Sequence, residues 1–143
     1  MTKLGLYIAS VFASTVLVTS AAQAEITGVW STEKNNSHVR IEPCGDKVCG
    51  KIIWLKEPND SKGKPKTDEN NKKEALKSQP IVGLELLKGF NKTTDNEWED
   101  GTIYNPKDGK TYSSSIILVK PDVLEVEGCV AFFCKTRTWN KVK

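Results

Sequence analysis

The sequence predicts an all-β fold, an antiparallel eight-stranded up-and-down barrel with one long Lys/Asn-rich loop expected to hold a short helix. Three observations predict it. Short alternating or β-branched runs recur from residue 27 to the end, turn residues separate them, and helical periodicity is missing outside one segment. Short connections between successive runs imply a meander, and closing a meander into a barrel removes its exposed edges.

The first 24 residues stand outside that pattern. Lys3 supplies a positive start, residues 4–18 carry no charge, and Ala22-Gln23-Ala24 has the small-residue spacing a signal peptidase accepts. Residues 1–24 are therefore expected to be a secretory leader, with Glu25 opening a periplasmic or secreted chain. The alternative is a retained anchor, since no charge interrupts residues 4–23, close to the roughly 20 residues that span a bilayer. Ser10, Ser14, Thr15, Thr19 and Ser20 dilute its apolarity, so no stable transmembrane anchor is expected after cleavage. Residues 25–143 suit a single barrel domain in size.

The first strand is expected over 27–31. In 38–42, Val39 and Ile41 face one way and His38, Arg40 and Glu42 the other, the pattern of a half-buried strand. A Gly45-containing turn leads into 49–55, making a hairpin. Residues 56–79 then interrupt the series with seven lysines and five acidic residues. A connection that long is expected to be functional or partly ordered. Asp68 is read as the cap of a short helix reaching about Lys77. Interleaved acids make a solvated loop the expectation over a polyanion-binding patch.

The later strands are expected over 81–90, 98–104, 110–120, 123–130 and 134–142. Asn105-Pro106-Lys107-Asp108-Gly109 marks a hairpin, because Pro106 presets φ and Gly109 accepts the positive φ that closes the turn. Pro121 lacks a ladder donor and ends the strand before it.

The charge balance, 21 basic against 18 acidic residues and a net +3, gives no reason to expect a nucleic-acid partner. Cys44 and Cys49 bracket one turn, Cys129 and Cys134 another, and an exported chain makes disulfides the default. Four cysteines allow three connectivities. Local pairing is favoured because each turn brings its own two Cα atoms within bonding reach. The rival is a four-cysteine zinc site, which would need thiolates kept reduced.

Catalytic chemistry has little to work with. His38 is the single histidine, no Gly-x-Ser-x-Gly elbow occurs, and neither a phosphate loop nor a dinucleotide fingerprint is present. Glu97, Glu99 and Asp100 cluster around Trp98, where a polar rim beside an inward Trp98 is the expectation over a carboxylate pair for glycoside chemistry. Trp30, Trp54, Trp98 and Trp139 each fall in a different strand. As large aromatics they are core residues or, in a barrel that holds a small ligand, its lining.

Gly28-Val29-Trp30 resembles the Gly-x-Trp signature of lipocalin-like barrels. The resemblance implies that the tryptophan closes one end against a basic residue of the last strand, a part that would fall to Arg137. The chain after the leader also resembles, over essentially its whole length, an exported bacterial group, domain-of-unknown-function family 2147. The likeness is carried by Gly28-Val29-Trp30, Val39-Arg40-Ile41 through Cys44-Gly45, Cys49-Gly50-Lys51-Ile52, Asp68 with Asn71, and Pro80-Ile81-Val82-Gly83-Leu84. Gly101, Ile103, Tyr104, Pro106, Asp108 and Gly109 within 98–112, and the terminal Thr138-Trp139, complete it. It implies a lipocalin-like barrel and an envelope or secreted location and supplies no activity. The family pattern usually has an arginine shortly before the Pro80 stretch and another just after the last tryptophan. The nearest basic groups here are Lys77 and Lys141, which cannot reproduce a bidentate arginine grip on a carboxylate.

The expected function is a non-catalytic exported protein holding a small apolar ligand inside the barrel, with Trp30, Trp54, Trp98, Tyr104, Tyr112 and Trp139 as candidate contacts. The alternative is an interaction module with a filled barrel that meets an envelope protein or a glycan through the 56–79 loop. No cofactor or metal is expected.

Overall fold

A computed structural model describes residues 26–143. The expected leader lies outside the described residues. Eight strands run in sequence order: β1 (Gly28–Ser31), β2 (Ser37–Cys44), β3 (Lys47–Leu55), β4 (Glu85–Lys92), β5 (Glu97–Asn105), β6 (Lys110–Lys120), β7 (Val123–Val130) and β8 (Phe133–Lys141). Each pairs antiparallel with its neighbour, and β1 closes on β8 through Trp30 opposite Lys141 and Ser31 opposite Asn140. The eight-stranded up-and-down barrel predicted from the sequence is the observed fold.

Alternation decides what faces the interior. Val39, Ile41, Val48, Ile52, Leu87, Ile116, Leu124, Val126 and Trp139 are buried at alternate positions of their strands. They join Ile26, Trp30, Phe90 and Trp98 in one core cluster. Leu87 and Phe90 both point inward despite a spacing of three. The register with β3 slips between Val48/Phe90 and Gly50/Leu87, so β4 carries an extra residue there. A matching slip on β5 falls between Trp98 and Gly101, where Asp100 takes φ 60°.

Strand β4 begins at Glu85, later than the expected residue 81, because the chain is still turning: Leu84 N–H bonds back to Ile81 O, and Gly83 N–H to Ile52 O. The turns β2–β3 and β7–β8 lie at opposite ends of an up-and-down barrel. Each is spanned by its own disulfide, Cys44–Cys49 and Cys129–Cys134, as the local pairing predicted. The four sulfurs therefore cannot meet in one zinc site.

The helix expected from Asp68 to Lys77 is a correction. The segment holds only a 3-10 turn, Glu74–Leu76, with no side-chain cap. Asp68 is instead wholly buried, its carboxylate accepting hydrogen bonds from Asn71 of the same segment and from Tyr104 on the barrel. With Ala75 and Leu76 as its sole apolar residues, the segment has no face to bury and so no packing to stabilise a longer helix.

Candidate functional site

The long connection folds back on itself before it reaches the barrel. Asp60 Oδ1 accepts the N–H groups of Lys62 and Lys64, closing a tight turn. Short ladders follow, with Lys66 N–H to Pro58 O, Ile81 N–H to Lys66 O and Asp68 N–H to Gln79 O. These bonds satisfy backbone groups that a structureless loop would leave to water.

Asp68 then fastens the loop to the barrel wall. Its carboxylate accepts from Tyr104 Oη at 2.7 Å, from Asn71 Nδ2 at 2.7 Å and from Gln79 Nε2 at 3.0 Å. Two residues on, Asn70 Nδ2 donates to the Pro106 and Lys107 carbonyls in the β5–β6 turn, both at 3.1 Å. Gly109, at φ 67°, completes the seat. A Cβ there would lie 2.7 Å from the Asn70 carbonyl carbon and closer still to its oxygen. Asp68, Asn71, Tyr104, Pro106, Asp108 and Gly109, separate pieces of the family resemblance, thus meet at one place.

Titration follows from this geometry. Burial first, then the hydrogen bond to Asp68 and its negative charge, push the Tyr104 hydroxyl from 10.0 up to about 12. Burial raises the Asp108 carboxyl, but hydrogen bonds from the Tyr112 hydroxyl and the Lys110 amide outweigh it and hold the group below the ordinary range. Tyr112, bonded to Asp108, is raised in turn by that bond. A phenol raised in the folded state contributes stability that is complete below pH 10 and is lost as pH climbs towards 12. The loop should therefore hold at neutral pH and loosen over that alkaline interval. Absorbance titration at the phenolate band should show late-ionising phenols, of which Tyr104→Phe removes the one near 12. A Tyr104 that ionises near 10 would refute the assignment.

Between the fastened loop and the rim of β4–β6 runs an open groove of about 820 Å³, which reaches from the outer face over to Lys110 and Tyr112 on the inward-facing side at the barrel mouth. Leu87 and Ile103 face inward, so their neighbours Lys88, Thr102 and Tyr104 face out and form its floor. Lys51, Lys72, Lys73, Lys88 and Lys110 line it, against Glu85 as the acidic side chain. None of these five ammonium groups makes an ion pair among the described residues, whereas Lys66 pairs with Glu57 and Lys77 with Glu74.

The six predicted contact residues do not gather in one place. Trp30, Trp98 and Trp139 are buried in the core. Trp54 lies on the surface, its ring centroid 4.4 Å from that of His38. Tyr104 and Tyr112 border the groove. The closing residue over Trp30 is a correction: Lys141 Nζ sits 5.4 Å from the ring centroid, while Arg137 pairs with Glu33 at 2.5 Å. Lys141 is directly opposite Trp30 in the β1–β8 register, and Arg137 is four residues away, roughly 13 Å along the strand. Trp30 Nε1 donates to Ile26 O at 2.9 Å, tying down the residues that precede β1. Trp98 faces inward as expected. Glu97 and Glu99, opposite Ile117 and Asn91, stand on the outer face, and Glu99 and Asp100 are solvent-exposed.

The sequence reading missed the groove and misassigned Asp68. The available signal was scattered: an aspartate and asparagine in the loop, and a tyrosine, proline and glycine around the next turn but one.

Comparison with known proteins agrees with this fold. The model of a family described as "Uncharacterized protein conserved in bacteria (DUF2147)" matches residues 28–141. Among solved structures, a similar one is protein HP1028 from Helicobacter pylori, described as belonging to the lipocalin family. It has 22% identity, a TM-score of 0.72 and 82% of each chain covered. No curated protein matches the chain.

Proposed function

The chain belongs to the bacterial family DUF2147, and on that premise we propose that it is an exported, non-catalytic binding protein whose groove beside the fastened loop takes an anionic ligand. The observation that carries this reading is the convergence of Lys51, Lys72, Lys73, Lys88 and Lys110 on one groove with a single glutamate among its lining residues. Glu85 stands opposite Lys51 across the β3–β4 register and Asp108 lies within electrostatic range of Lys110, so the five ammonium groups outnumber the acids beside them, and such an excess of positive charge attracts an anion. Two local disulfides suit the oxidising compartment to which the expected leader would send the chain. The ligand class is a sulfated or phosphorylated glycan or a phosphate-bearing small molecule, since the groove offers ammonium groups and the hydroxyls of Thr102, Thr111 and Tyr112 beside the apolar side chains of Leu76, Leu84 and Leu86.

Polyphosphate and dextran sulfate are suitable probes. Both should bind at low ionic strength and weaken as salt shortens the Debye length. Lys72→Glu with Lys73→Glu should weaken binding at least tenfold without moving Tm, because both side chains are exposed. Equal affinity in the variant would remove the groove from consideration.

One observation favours a second reading, a ligand inside the barrel. Trp98 Nε1 is buried and has no hydrogen-bond partner among the described residues, which costs roughly 1–3 kcal/mol. A small apolar ligand with one acceptor would satisfy it, although Trp30, Phe90, Trp98 and Trp139 already belong to one packed core. Native mass spectrometry of protein purified from its own host decides between the two. A bound mass that survives the lysine reversals belongs inside.

A further inference from the structure

At the end of the barrel where the long loop emerges, the β7–β8 hairpin carries Val130, Ala131, Phe132 and Phe133 across its turn. Phe132 is 100% exposed, Phe133 80% and Val130 57%. Tight hairpin turns ordinarily take Asn-Gly or a similar pair, which supplies positive φ and polar side chains. This one has Ala131 at φ 50° followed by a phenylalanine, and is clamped below by Cys129–Cys134. A strained alanine and a fully solvated aromatic are unfavourable choices for a turn that only reverses the chain. Exposed apolar clusters of this kind mark contact surfaces.

We propose that this tip inserts into the interface of an anionic phospholipid bilayer and docks the barrel there. Charge and shape both select that occupant. Lys107, Lys110 and Lys135 are exposed near the same end, and Val130 borders the basic groove that Lys110 lines. Glu33 is paired with Arg137, Asp108 and Glu127 accept from the Tyr112 and Thr136 hydroxyls, and Glu85 is the acid that lines the groove beside Val130. Aromatic side chains on one rigid point, flanked by lysines, match the apolar depth and negative surface of such a membrane. A second copy is disfavoured by area. Three apolar side chains offer on the order of 500 Å², short of the roughly 800 Å² per partner of a stable interface. The proposal does not depend on the groove's ligand.

The test uses the chain from Glu25 onward, which contains every strand of the closed barrel, so that the apolar leader cannot itself bind lipid. Vesicles of phosphatidylglycerol and phosphatidylethanolamine should sediment the protein, and vesicles of phosphatidylcholine alone should do so at least tenfold less well. Phe132→Ser with Phe133→Ser should lose at least tenfold in binding to the anionic vesicles with an unchanged Tm. Phe132→Trp should show a blue-shifted emission component, quenched by brominated lipid, on binding them. Failure of the wild type to sediment with anionic vesicles would overturn the proposal. So would equal sedimentation of the double serine variant, or a concentration-dependent dimer that the same variant abolishes. Lys72→Glu with Lys73→Glu, run in parallel, separates the two sites: loss of polyphosphate binding with the Phe132→Trp quenching retained supports the tip as an independent membrane contact.

Discussion

Replacing Asp68 by alanine is expected to free the long loop from the barrel and to speed tryptic cleavage within it about a hundredfold. The carboxylate is wholly buried and accepts three hydrogen bonds, from Tyr104, Asn71 and Gln79. Hydrogen bonds to a charged group contribute about 1.5–3 kcal/mol each, and those left unmade strand buried donors. The loss is capped by the free energy that docks the loop, because the loop can detach while the strands stay paired. A docking term of about 3 kcal/mol corresponds to the hundredfold change, at 1.4 kcal/mol per factor of ten. Lysines at 62, 66, 72, 73 and 77 offer trypsin its sites. Tryptophan emission should change little, since Trp30, Trp98 and Trp139 belong to the core cluster and Asp68 does not. An unchanged cleavage rate would show that Asp68 does not hold the loop. Anion binding by the groove should fall with it, because Lys72 and Lys73 ride on the freed segment.

Gly101→Ala should destabilise the barrel itself by about 3 kcal/mol, at the upper end of the usual cost of overpacking a core. The Phe90 ring lies flat against Gly101. A Cβ there would fall 2.5 Å from Phe90 Cδ2 and closer to Cγ and Cδ1. Phe90 is fully buried and packed on all sides, so the ring cannot swing out to solvent. The prediction is specific in its coupling: Phe90→Leu makes room, and the double variant should be more stable than the sum of the single losses implies. Urea unfolding of the four proteins supplies the cycle. Additive losses would mean that the destabilisation comes from somewhere other than this contact. Polyphosphate binding should be retained at neutral pH under native conditions, which separates this core effect from the groove effect of Asp68→Ala.

How much of this was legible beforehand depended on distance along the chain. The eight runs, the Pro106–Gly109 turn and both disulfides rest on signals within a dozen residues: alternation, turn chemistry and cysteines on either side of one reversal. The strand ends were less legible. The start of β4 was misplaced by four residues, because Ile81 to Leu84 are apolar enough to read as strand yet are held in a turn by Gly83 N–H and Leu84 N–H. The extra residues near Gly89 and Asp100 were invisible, since a bulge is defined only by what lies on the neighbouring strand.

The candidate site was less legible than the fold. Asp68 and Tyr104 are 36 residues apart, as are Asn70 and Pro106. An aspartate ahead of Ala75 and Leu76 reads locally as a helix cap, and only the tertiary fold reveals three donors waiting for it. Lys141 and Arg137 are both cationic and share a strand face. Barrel closure, through the pairing of Trp30 with Lys141, chose between them.

By itself, then, the sequence determined the architecture: an antiparallel eight-stranded barrel with two local disulfides, because period-two alternation and turn residues act over short separations and leave one plausible meander. Only the tertiary structure decided where the lysines converge, what Asp68 holds and which cation covers Trp30. Those outcomes depend on register, on bulges and on the path of one long loop, and each brings together residues that no local pattern connects.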